Sequence, residues 1–203
     1  MNNKYEYSIL QNLSSLEVET HPFPHVVIRD ALSSDLAGVL TRDFPVVEFD
    51  LSKNNKRYDI SVSNLENFSH ISPDWKKLLN FHSSKDFFLQ VAELFHDHIP
   101  VKALQGKPDL SKYLIGTRGV DSHKKYDLLM DAQISINSPV REEGSVRQIH
   151  IDNPNKLFSG LFYLRQDDDD SIGGNLQLFS WNSDYSYKEK LKFYKEGVDL
   201  KHC

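Results

Sequence analysis

The sequence predicts an α+β chain with helices first and a β-rich half after them. Two observations carry that expectation. Apolar residues recur at helical spacing through the first half, as at Leu36, Val39, Leu40 and Phe44. From Leu129 the texture changes to short alternating segments separated by turn residues, the pattern of an antiparallel sandwich or barrel. The 203 residues fit one domain, with helical support over about 22–128 and the β-rich half over about 129–203.

Met1 to about Glu19 is polar and reads as a loose lead-in. Val26, Val27 and Ile28 follow two prolines and read as a short strand. Ser33 or Ser34 caps a helix carrying Leu36 to Phe44, and Pro45 ends it. Residues 51–73 form a polar loop with a short strand near Ile60. Pro73 to Pro100 holds two helices, one built on Trp75, Leu78 and Leu79, the next on Phe87, Phe88, Val91, Leu94 and Phe95. Residues 101–128 carry no clear period. In DAQISIN, Ala132, Ile134 and Ile136 take one face and Gln133, Ser135 and Asn137 the other. VRQIHID, FSGLFYLR and NLQLFSW are expected as three further strands, with NPNK a turn and QDDDDSIGG a loop. YKEKLKFYKEGVDLKHC is charged and ambiguous.

Composition excludes several classes of function. Lys and Arg total 24 against 29 Asp and Glu, a net charge of −5, which disfavours binding nucleic acid by phosphate neutralisation. The single cysteine, Cys203, excludes an internal disulfide framework and a multi-cysteine zinc site. No secretory leader is visible, and no apolar run reaches the roughly 18–20 residues of a membrane span. The expectation is a soluble cytoplasmic protein. Phosphate-binding loops, dinucleotide fingerprints and nucleophile elbows are absent from the sequence.

The pair that points to chemistry is His150 and Asp152. On a strand, residues two apart share a face with Cα atoms about 6–7 Å apart, so an imidazole and a carboxylate can converge on one metal ion. Such a pair plus one more His makes the facial triad of non-haem iron oxygenases. An isolated H-x-D is more often two surface residues. The run HIDNPN, then GLFYLR, then IGGNLQLF adds context. In order and spacing it resembles the Fe(II)- and 2-oxoglutarate-dependent oxygenases, in particular their prolyl-hydroxylase-like branch. PFPHVVIRDAL is similar to the opening strand and helix of many members.

The resemblance covers residues 129–180 most closely and 22–45 more loosely. It implies a double-stranded β-helix, or jelly roll, with the N-terminal helices packed on one sheet. It also implies His150 and Asp152 as iron ligands, Tyr163 as a 2-oxoglutarate contact and Leu176 as a wall of the same pocket. The alternative for Tyr163 is a half-buried core tyrosine, against which the resemblance favours the cofactor contact; Leu176 reads equally as plain core packing. Gln133 and Asn137 lie on the strand where the family often places a further contact. The implied cofactors are Fe(II) and 2-oxoglutarate, with ascorbate a further candidate, and the substrate is a peptide side chain or small metabolite.

The family pattern also needs a second His, followed by an Arg or Lys for the distal carboxylate of 2-oxoglutarate. Only His202 lies downstream, without a strand before it. The expectation is a chain truncated before its last strands. The alternatives are an inactive jelly-roll binding or scaffold module and a cupin-like metal protein. Asp167 to Asp170 lacks the ligand spacing of a calcium loop and reads as a solvated turn. His96 and His98, two apart at a helix end, do not face each other.

Overall fold

The computed structural model describes residues 4–46, 48, 50, 54–99, 109–141, 148–165, 172 and 175–203. Helix and strand are mixed, as an α+β chain requires, and the sheets are small. Helix α1 spans Ser34–Arg42, with the Ser33 hydroxyl accepting the Leu36 amide at 3.3 Å. Leu36 and Leu40 turn inward, as their four-residue spacing dictates.

Strand β1, Arg57–Ser61, follows the polar loop, and the turn Val62–Asn67 leads on toward α2, Pro73–His82. Pro73 occupies the first turn of α2, where its missing N–H costs no helical bond. Helix α3, Lys85–Leu94, is capped by Ser84 and carries Asp86 in its first turn. Strands β2, Ile115–Thr117, and β3, Leu128–Met130, pair in parallel through a short connection. At Gly116 a Cβ would lie 2.7 Å from the Tyr126 ring, so only glycine fits. Strand β4, Gln133–Asn137, pairs antiparallel with β1, Ile60 opposite Ile134 and Tyr58 opposite Ile136. Helix α4, Tyr187–Glu196, closes the order.

The β1–β4 pair shows the alternation expected of DAQISIN. Ile60, Ile134 and Ile136 are buried, while Arg57, Asp59, Gln133, Ser135 and Asn137 face outward. The inner face packs on α1 and α2 through Leu36, Leu40, Trp75 and Leu78, and on Leu65 of the Val62–Asn67 turn. A second cluster gathers Phe87, Phe88 and Val91 of α3 with Leu10, Tyr113 and Met130. Phe88 and Leu40 are fully enclosed.

Three sequence expectations are corrected. Val26 to Ile28 is not a strand; the nearest pairing is an isolated bridge between Glu19 and His25. Residues 148–152, 157–164 and 175–181 carry no strand among the described residues. The ambiguous C-terminal stretch contains a regular helix, α4, set by a capping box between Ser186 and Glu189. The described residues therefore form two two-stranded sheets and no double-stranded β-helix. Asp167 to Asp170 and Gly173-Gly174 lie outside the described residues, as do the first residues of VRQIHID. Among the described residues no helix is long and apolar enough to cross a membrane.

Candidate metal centre

His150 and Asp152 lie on a segment that is neither strand nor helix, just before the Asn153-Pro154-Asn155-Lys156 turn. That turn forms as NPNK predicts. The Lys156 amide donates to the Asn153 carbonyl at 2.8 Å, and the Asn155 amide to the Asn153 side-chain oxygen at 3.0 Å. It folds Lys156 back on Asp152, whose Oδ2 accepts from Lys156 Nζ at 3.0 Å and from Ser159 Oγ at 2.7 Å. The carboxylate is thus held from two sides, one a cation four residues on, and is only partly exposed.

The His150 ring is oriented by its own backbone. Nδ1 lies 2.8 Å from the Gln148 carbonyl. With that carbonyl as acceptor, Nδ1 carries the proton and Nε2 is the lone-pair nitrogen. Metal-binding histidines are commonly fixed in this way, one ring nitrogen donating to a carbonyl and the other free to coordinate. A neutral imidazole and a carboxylate are also the donor types that ferrous iron takes in a facial triad. The chemistry of this pair fits two of three protein ligands.

A third ligand is not assembled among the described residues. Among the described residues no group of three His, Cys, Asp or Glu side chains could hold a metal ion. His202 sits in an aromatic cluster, its ring 4.6 Å from Phe193 and 6.0 Å from Tyr185, with Nδ1 accepting the Asp199 amide at 3.2 Å. His96 bonds the Glu93 carbonyl and pairs with Asp97 in the turn after α3.

Tyr163 and Leu176 are 67% and 58% exposed, so neither lines an enclosed pocket. Leu161, Phe162, Leu178 and Phe179 are exposed beside them in sequence. Gln133 and Asn137 lie on the outer polar face of β4, where Gln133 Nε2 donates to Ser135 Oγ at 3.4 Å. The sequence reading missed Lys156 and Ser159 as supports of Asp152. The four-residue step across a turn-forming NPNK was the available signal for Lys156, and Ser159 had none. An open cleft of about 400 Å³ between α1 and α2, lined by Phe44, Pro45, Val46 and His70, holds none of the expected site residues. Comparison with protein-family models, with curated proteins and with solved structures finds no match to this chain.

Proposed function

We propose that the chain is an Fe(II)- and 2-oxoglutarate-dependent dioxygenase, a hydroxylase of peptide side chains or small metabolites, with His150 and Asp152 as two of the iron ligands. The observation that carries the reading is the pair itself: Nδ1 of His150 tied to the Gln148 carbonyl, and Asp152 held by Lys156 and Ser159 two residues away. The order HIDNPN, GLFYLR, IGGNLQLF supports it from the sequence side. In this reading the β-rich half would take a double-stranded β-helix; among the described residues its strand β4 pairs with β1 of the first half.

Each residue has a defined task. His150 offers Nε2, and its bond to Gln148 keeps the ring in the coordinating tautomer. Asp152 offers a carboxylate oxygen while Lys156 and Ser159 fix its plane. In this reading the phenol of Tyr163 would donate to a carboxylate of 2-oxoglutarate, and Leu176 would give it an apolar neighbour, though both side chains are exposed. Leu161, Phe162, Leu178 and Phe179, exposed here, would exclude water if they packed over the bound ligands. When bound, Fe(II) and 2-oxoglutarate would supply the oxidising power, one oxygen atom of O2 going to succinate with loss of CO2 and the other to the hydroxylated substrate. Ascorbate is the reductant that would keep such iron ferrous.

A second reading is favoured by the exposed apolar side chains and the two-donor site: an inactive jelly-roll binding module. Anaerobic titration of the whole chain with Fe(II) and 2-oxoglutarate separates the two. The oxygenase reading expects a weak metal-to-ligand absorption band, its loss in His150→Ala and Asp152→Ala, and succinate on admitting air. An unchanged spectrum in the wild-type chain rejects that reading and leaves the binding module.

A further inference from the structure

His82, the last residue of α2, bridges two parts of the chain far apart in sequence. Its Nδ1 lies 2.8 Å from the Leu78 carbonyl, one turn back in the same helix. Its Nε2 accepts the backbone N–H of Ile9 at 3.3 Å. The two bonds specify one tautomer: Nδ1 protonated, Nε2 bare. The ring packs 4.4 Å from Phe87 of α3 and 5.7 Å from Phe81.

The segment that His82 holds is docked by few but distinct contacts. Tyr5 meets Phe81 edge-on at 6.2 Å. The Tyr7 hydroxyl donates to Asp74 at 2.5 Å. Ser8, fully buried, donates to Gln90 Oε1 at 2.6 Å and accepts the Leu10 amide at 3.0 Å. Leu10 then enters the α3 core. Every other polar contact in this set is indifferent to pH near neutrality; the Ile9 contact is not.

We propose that His82 is an acid-sensitive latch, seating the N-terminal segment 5–10 against α2 and α3 only while Nε2 is unprotonated. A proton taken up from solvent at Nε2 turns the acceptor into a donor facing the Ile9 N–H. Two donors cannot bond, and the new charge lies beside Phe81 and Phe87, with no ion pair to His82 among the described residues. Of the acidic side chains on the packed elements, Asp74 of α2 is engaged with Tyr7 and Lys77, and Asp86 of α3 with Lys4. Burial lowers the pKa of His82 from the ordinary imidazole value, with the Leu78 carbonyl opposing it, and no charged group acts on it. The sign follows. The stabilisation from neutral His82 is complete above about 6.5, the unfolded value, and is lost as pH falls toward the lowered folded value.

The test is amide hydrogen exchange on the whole chain between about pH 7.5 and about pH 5.5, about one unit either side of the free imidazole value, corrected for intrinsic rates. Protection of Ile9 and Leu10 is expected to fall about tenfold per pH unit below about 6.5, because the open state binds one more proton. Protection of Phe88, whose amide bonds the Ser84 carbonyl, is expected to hold. In His82→Gln, whose amide oxygen can accept from Ile9 but does not titrate, the pH dependence should vanish. Flat protection in the wild-type chain, an equal fall in His82→Gln, or a parallel fall at Phe88 overturns the latch. Should His82→Gln not fold, imidazole nitrogen shifts of the wild-type chain decide. They should show the Nδ1–H tautomer and a midpoint below 6.5; the other tautomer, or a midpoint at or above that value, overturns it.

Discussion

Trp75 shows how one side chain serves packing and polar satisfaction together. Its ring is buried between α1 and β1–β4 and meets Phe44 edge-on at 5.6 Å. Its indole N–H donates to the Leu40 carbonyl at 3.0 Å. That carbonyl is among the last four of α1, which lack partners within their own helix. Trp75→Phe keeps an aromatic ring but leaves a buried acceptor unpaired, so a loss of about 1–3 kcal/mol is expected in urea unfolding. A change within about 0.5 kcal/mol would show that water reaches Leu40 in the variant. The same logic, applied to the proposed iron site, singles out Ser159. Its hydroxyl holds the Asp152 carboxylate on the surface, so Ser159→Ala should leave thermal stability unchanged. It should weaken Fe(II) binding about 10–100-fold in an anaerobic titration, the usual cost of removing an outer support. Equal affinities for variant and wild type would mean Asp152 is oriented without it.

The helices are set by their ends as much as by their faces. Ser72 accepts the Trp75 amide at 3.4 Å, Ser84 the Phe87 amide at 3.3 Å, and Ser33 the Leu36 amide. Ser72→Ala is expected to cost about 1 kcal/mol in urea unfolding, since α2 carries Trp75 and Leu78 into the core and cannot fray freely. These helices were legible because cap, apolar spacing and terminator agree within a few residues. Helix α4 was not read, although Ser186-x-x-Glu189 stood in the sequence, because Leu191 and Phe193 make too thin an apolar stripe among its lysines. Val26 to Ile28 failed for the opposite reason. A β-branched run has strand propensity, but a strand exists only where a partner backbone meets it, and no local pattern specifies the partner. β4 succeeded because β1 meets it, with Ile60 set against Ile134. His150 and Asp152 share this limit. Their spacing is legible, and the Asn153 turn that brings Lys156 back is legible, but the face they present depends on pairing that the described residues do not show.

At the scale of the molecule, apolar burial is uneven along the chain. Every buried core residue of both clusters lies at or before Ile136, while Leu161, Tyr163, Leu176 and Leu178 are exposed. Leu157, Phe158 and Leu164 still touch the clusters, and Phe158 meets Phe87 at 6.4 Å, so the described residues after Ile136 are tethered to the core without adding a buried apolar residue to it. Backbone amides without ladder partners and side chains without packing place a segment at the low end of the local stability scale. Amides of Ile151, Leu161 to Leu164 and Leu176 to Phe179 should therefore exchange within the dead time at which Phe88 and Ile134 stay protected. The proposed function makes this contrast conditional. A ligand that binds only the closed arrangement stabilises it in proportion to the logarithm of its excess over its dissociation constant, about 2.7 kcal/mol at a hundredfold excess. Fe(II) with 2-oxoglutarate under nitrogen should then slow exchange at residues 148–165 by about a hundredfold while Phe88 is unaffected. His150→Ala should cancel that slowing without altering exchange in the free chain. Slowing that survives in His150→Ala would place the ligands elsewhere on the protein, and no slowing at all would mean that the exposed apolar residues do not close over this metal.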